Sequence, residues 1–113
     1  MNPYRAARDT LAAALVALDV PVHAYEPGSV QPPAVVIQPS PTWKSSRGHV
    51  TLDVVCIASG VDHTAAQQRL EQLLWDAEVA LSLAGFGWQE VGAPTIEPTG
   101  QTVRGILTVT LRP

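Results

Sequence analysis

The side chains with the widest chemical repertoire here are His23, His49 and His63, the single cysteine Cys56, and ten carboxylates. His49 and Asp53 stand four positions apart in an alternating apolar and polar stretch, so a strand there places both on one face. Together with His63, which opens the next helical pattern, they are the set from which a metal site could be written. At roughly 3.3 Å per residue, His49 and Asp53 lie about 13 Å apart along such a strand. Zinc–ligand bonds of about 2 Å do not bridge that gap, and the spacing matches no ligand motif. The plainer reading is three solvated or hydrogen-bonded imidazoles. Cys56 falls on the apolar side of the same alternation, where a thiol behaves as a small hydrophobe. A cysteine nucleophile needs exposed, electropositive surroundings instead. The serines sit in turns and loops without a strained G-x-S-x-G elbow, and Gly85-Phe86-Gly87 is not a phosphate-binding loop. The expectation is a chain with no catalytic residues, no metal and no cofactor.

Two features point to recognition rather than catalysis. On the second helical pattern, Trp75 and Val79 fall opposite the Leu70/Leu73/Leu81 stripe, beside Gln68 and Gln72. An exposed Trp and Val can be incidental, because much of any protein surface is apolar. Tryptophan is, however, enriched where subunits meet, so these four residues are the candidate subunit interface. The second feature is the segment Trp43-Lys44-Ser45-Ser46-Arg47, with His49 close behind. It holds the chain's one lysine, an arginine and a tryptophan. It reads either as a solvated hairpin tip or as a loop that docks a partner through Trp43, Lys44, Arg47 and His49. Two cations are too few for a grip on DNA.

The elements that must position these residues follow from hydrophobic periodicity. Asn2-Pro3 is a helix start. Tyr4, Ala7, Leu11, Ala14, Leu15 and Leu18 then form one apolar face, with Arg5, Arg8 and Asp9 on the other side, and Pro21 ends the helix by Asp19 or Val20. Val22–Tyr25 is a short strand candidate, Glu26–Ser29 a turn, and Ala34–Ile37 a buried strand entered through Pro32-Pro33. Residues 39–48 read as a loop. From His49 to Ser59 the alternation is clean, with Val50, Leu52, Val54, Cys56 and Ala58 on one face. Asp62 or Thr64 caps the next helix, Thr64 forming a box with Gln67. Its buried stripe is Ala66, Leu70, Leu73, Ala77, Leu81 and Ala84, and Gly85 ends it. Two strands close the chain, over residues 87–96 and 101–111, turned through Pro98-Thr99-Gly100. On the last, Val103, Leu107, Val109 and Leu111 point one way and Arg104, Ile106, Thr108 and Thr110 the other. This order predicts an α+β fold, a mainly antiparallel sheet with two helices packed on one face.

Composition narrows the function classes. The chain has 113 residues, enough for one core, and reads as a single domain over 1–113. Charged residues are only 15%, against about 25% in an average chain; interface cores are depleted of charge in the same way. A net charge of -3 leaves no basic excess for sequence-independent nucleic-acid binding. One cysteine excludes an internal disulfide. The start of the chain lacks a signal-peptide pattern, and the apolar stretch Leu11–Leu18 is too short for a membrane span. The expectation is a soluble protein made in a reducing cytoplasm.

The order of these features resembles a family, the tail terminator (tail completion) proteins of siphovirus-type bacteriophages. The resemblance runs over nearly the whole chain. It is carried by the Asn2-Pro3-Tyr4-Arg5 helix start, the Tyr25-Glu26-Pro27-Gly28 turn and Gln31-Pro32-Pro33 leading into Ala34–Ile37. The long strand 49–59, the helix with Ala65-Ala66-Gln67-Gln68-Arg69-Leu70 and the closing amphipathic strand complete it. What it implies is a small α+β subunit of a homo-oligomeric ring, a hexamer, on the head-proximal end of the virion tail. Such a ring, assembled in the host cytoplasm, ends polymerisation of the tail tube and joins it to the head connector, with DNA passing through. Its partners would be itself, the major tail tube protein and a head–tail connector protein, with no membrane and no sequence-specific nucleic acid. A head-side neck protein (stopper or adaptor) is the neighbouring alternative. A small ligand-binding or enzymatic α+β domain, using His49, Asp53 and His63, is the alternative of another class.

Overall fold

A computed structural model describes residues 2–44, 49–90, 95–96 and 101–111. Helix α1 spans Pro3–Leu15 and begins where the sequence places it: the Asn2 side chain accepts the N–H groups of Tyr4 (3.0 Å) and Arg5 (3.4 Å). These bonds satisfy two donors that a helix start leaves without intrahelical partners. Ala7, Leu11 and Leu15 are fully buried. The helix stops a turn earlier than Pro21 alone would require. Val16 is 77% exposed and Ala17 is exposed, so another turn would bury little apolar surface. Residues 16–20 instead turn the chain, with the Leu18 N–H on the Leu15 carbonyl at 3.0 Å.

That turn lays β1 (Val22–His23) parallel to β2 (Ala34–Lys44), Val22 opposite Val35. The expected loop from residue 39 is therefore corrected: β2 runs on to Lys44 and pairs with β3 (Val50–Ser59), Pro39 opposite Leu52 and Lys44 opposite Val50. Residues 45–48 lie outside the described residues. Pro39 is tolerated because its missing N–H would point away from β3. Val35, of the same parity, sends its N–H outward to the Pro21 carbonyl at 2.9 Å. The ladder is irregular between Pro39 and Lys44, where extra residues of β2 are accommodated.

Strand β3 pairs antiparallel with β6 (Thr102–Leu111) from Val50–Leu111 to Ser59–Thr102. The far side of β6 carries β4 (Trp88–Glu90) and β5 (Thr95–Ile96). The strand expected over 87–96 is thus two short strands among the described residues, while residues 91–94 and the turn at 98–100 fall outside them. The sheet order is β1-β2-β3-β6-β4, with β5 beside β6, and every pairing except β1–β2 is antiparallel. The fold is α+β.

Helix α2 (His63–Leu83) is capped by Asp62, whose carboxylate accepts the Ala65 N–H at 2.8 Å; Thr64 lies inside the helix. Gly85 ends it at φ 83, with its own N–H on Ser82 and the Phe86 N–H on Leu81. That reciprocal pair closes the last turn and needs a residue comfortable at positive φ. Gly105 lets α2 approach the sheet, since a Cβ there would sit 2.9 Å from Leu74 Cδ1.

One core joins the helices to one sheet face: Ala7, Leu11 and Leu15, the α2 stripe, and Val35, Ile37, Leu52, Val54, Cys56, Leu107 and Val109 among others. Leu18, expected inside, is half-buried at its margin, and Ala84 is exposed. The back face is apolar at one end, where Val36, Val55 and Ile57 are buried with Val30 and Ile106 against them. At the other end it is polar: Thr51 bonds Thr110 at 3.0 Å, and Asp53 accepts from Thr108 at 2.8 Å.

Candidate functional site

The residues with catalytic or metal-binding repertoire stand on different elements. Asp53 sits half-buried in the middle of β3 and accepts the Thr108 hydroxyl. His49 precedes β3 and is half-buried, His63 is exposed on the first turn of α2, and His23 is half-buried in β1. Among the described residues no group of three or more His, Cys, Asp or Glu side chains could hold a metal ion. Cys56 is fully buried. Burial first, and the Glu78 carboxylate second, push its thiol up to about 12 from 9.0. The thiolate, the reactive form, is correspondingly scarce at neutral pH.

The α2 residues singled out in the sequence stand together on its outward side. Trp75 is 61% exposed and Val79 39%. Gln68 and Gln72 are exposed on the same side, Gln72 donating to Asp76 Oδ1 at 2.9 Å. The helix puts them there because residues three and four apart share a face, and Ala66, Leu70, Leu73, Ala77 and Leu81 already occupy the opposite one. Leu83 extends the stripe and is 85% exposed. The sequence reading does not single it out, although its i+4 spacing from Val79 is the available signal. Trp75, Val79, Ala80 and Leu83 line a shallow groove of about 380 Å³ against Ala17 and Leu18, and Asp19 and Asp76 border it.

The second candidate surface is only partly placed. Trp43 and Lys44 belong to the end of β2 rather than to a loop, and His49 leads into β3. Arg47 lies outside the described residues. The pairing of Lys44 with Val50 brings the two ends of this segment to one end of the sheet.

Arg8 reads in the sequence as part of the polar side of α1. It is half-buried and anchors the helix: Nη1 donates to the carbonyls of Ala24 and Ile37, the latter at 2.8 Å. Its guanidinium lies 4.3 Å from the centre of the Tyr25 ring. Arg5, by contrast, is exposed and reaches Asp9 only at 4.0 Å. Periodicity cannot separate these two arginines, because the difference depends on where the segment after α1 returns.

No helix among the described residues is long and apolar enough to cross a membrane. Compared with known protein families and with curated proteins, the chain matches no family model and no curated relative.

Proposed function

We propose that this chain is the repeating subunit of a ring that caps a siphovirus-type tail tube, ends its polymerisation and joins it to the head connector. The observation that carries the reading is the apolar stripe Trp75, Val79 and Leu83, exposed on the side of α2 that the core does not use. A tryptophan left 61% exposed gains a monomer little, whereas a subunit seam would bury it. Aromatic anchors near the centre of an interface commonly cost about 2 kcal/mol or more when truncated. The low charged fraction of the chain is of the same kind, and the resemblance in element order supplies the identity of the ring. In this reading Trp75, Val79, Gln68 and Gln72 bury one subunit against the next. Trp43, Lys44, Arg47 and His49 meet the tail tube or connector.

The test is size-exclusion chromatography with light scattering, joined to negative-stain images. Wild type is expected to form closed rings with increasing concentration. Trp75→Ala is expected to remain smaller over the same range. Trp43→Ala with Arg47→Ala is expected to assemble normally but fail to bind tail tubes. Wild type that stays monomeric throughout would overturn the ring. Trp75→Ala that assembles like wild type would remove α2 from the seam.

A further inference from the structure

We infer that Arg8 closes a strand-addition site: its guanidinium, together with Pro39, bars the outer edge of β2 from pairing with the β2 edge of a second copy. This goes beyond the ring reading and does not depend on it.

The edge needs closing. β2 runs for eleven residues, Ala34–Lys44, with β3 along one side. On the other side, among the described residues, β1 covers it over two positions only, Val22 opposite Val35 and His23 opposite Val36. A long strand left open offers its outward N–H and C=O groups to any second strand, and a second copy is the commonest source of one. Val35-Val36-Ile37 is an uncharged run of strong β formers, the kind of segment that pairs readily when its edge is free. The other edge of the sheet is built from strands of three and two residues, β4 and β5, which are too short to template much.

Backbone parity shows where β2 would be open. Val35 sends its N–H outward to the Pro21 carbonyl at 2.9 Å. Ile37 and Pro39, of the same parity, therefore also face outward, ahead of the irregular stretch that follows. Ile37 is the first outward residue past β1, and its carbonyl is occupied by Arg8 Nη1 at 2.8 Å. The same nitrogen donates to the carbonyl of Ala24, the residue at which the chain leaves β1. One half-buried guanidinium thus stands where the next N–H of β1 would be, had that strand continued. The Tyr25 ring, 4.3 Å from it, holds it in place. Pro39 is the next outward residue; it is exposed and has no N–H to give. From Pro39 to Lys44 the register shifts, which spoils the flat edge a second strand needs. The first open position has its acceptor taken and the next lacks a donor.

The experiment opens the edge and asks whether copies pair through strands. Arg8→Met, Pro39→Thr and the double variant are compared with wild type and with Leu73→Ala, a core truncation that leaves the edge untouched. Circular dichroism gives the folded fraction of each, and wild type is brought to the same fraction with urea. Light scattering reads association, and infrared absorption reads intermolecular strand pairing; a ring built through side chains raises the first and not the second. The double variant is expected to associate, with intermolecular strand absorption, at a concentration about tenfold lower than wild type, the worth of one or two net backbone hydrogen bonds. The single variants are expected to fall between, and Leu73→Ala to behave as urea-matched wild type. Should the double variant not fold, Pro39→Thr decides alone, because it keeps Arg8 and the core: strand absorption above that of wild type is expected. Open-edge variants that show no intermolecular strand absorption, or no more than Leu73→Ala at the same folded fraction, overturn the inference. Neither result touches the ring reading, which fails on wild type that forms no rings.

Discussion

Replacing Leu73 with alanine separates the two faces of α2 energetically. Leu73 is 7% exposed and belongs to the core stripe, while Trp75, two residues on, is 61% exposed. Truncating a buried leucine costs about 2–5 kcal/mol, more where a closed cavity is left. Leu73 also lines a groove with Val20 and Pro33 that opens to solvent, so the vacated space is partly relieved, and the lower end, about 2–3 kcal/mol, is expected. For a chain of this size about 4 °C of melting temperature accompanies each kcal/mol, so the midpoint should fall by about 8–12 °C. The assay is thermal and urea unfolding followed by circular dichroism, at a concentration where both proteins are monomeric. The urea dependence should be unchanged and only the midpoint displaced. Trp75→Ala under the same conditions should stay within about 0.5 kcal/mol of wild type, as exposed substitutions do. A loss below about 1 kcal/mol for Leu73→Ala, or a monomer loss for Trp75→Ala of equal size, would refute the assignment of the faces.

Three further outcomes follow from local geometry. A methyl on Gly60 would lie 2.5 Å from the Ala66 nitrogen and 2.8 Å from the Ala65 carbonyl carbon, both backbone, so Gly60→Ala should lose about 1–3 kcal/mol in urea unfolding. Arg8→Met leaves the Ala24 and Ile37 carbonyls without their charged donor and should cost about 1.5–3 kcal/mol. Arg5→Met, on the exposed side, should cost under about 0.5 kcal/mol. Cys56 keeps its proton in the folded state up to about 12, against 9.0 for the ordinary thiol. The unfolded chain therefore releases that proton first. The contribution is whole below about pH 9 and declines between about pH 9 and 12, by at most about 1.4 kcal/mol per pH unit. Wild type should thus lose stability relative to Cys56→Ala as the pH is raised through that window, and a constant difference would contradict it.

The parts of this protein that depend on local patterning were legible in the residues alone. Asn2 and Asp62 as caps, Gly85 as the stop of α2, and the alternation of β3 and β6 are each set by residues within a few positions of one another. So are the two faces of α2, because 3.6-residue periodicity assigns Leu73 inward and Trp75 outward without reference to anything else in the chain. Packing settled what depends on who the neighbours are. Pro39 reads as a loop start until β3 lies beside it and its missing N–H proves to point outward. The strand expected over 87–96 is divided because β6 pairs with Trp88–Glu90 and with Thr95–Ile96 as separate segments. Arg8 is indistinguishable from Arg5 until β1 returns past α1 and offers it the Ala24 carbonyl. The back of the sheet was visible only as a row of alternate residues. That Ile57 and Val55 are buried there while Arg104 is exposed depends on cross-strand register, which long-range pairing fixes and local propensity does not.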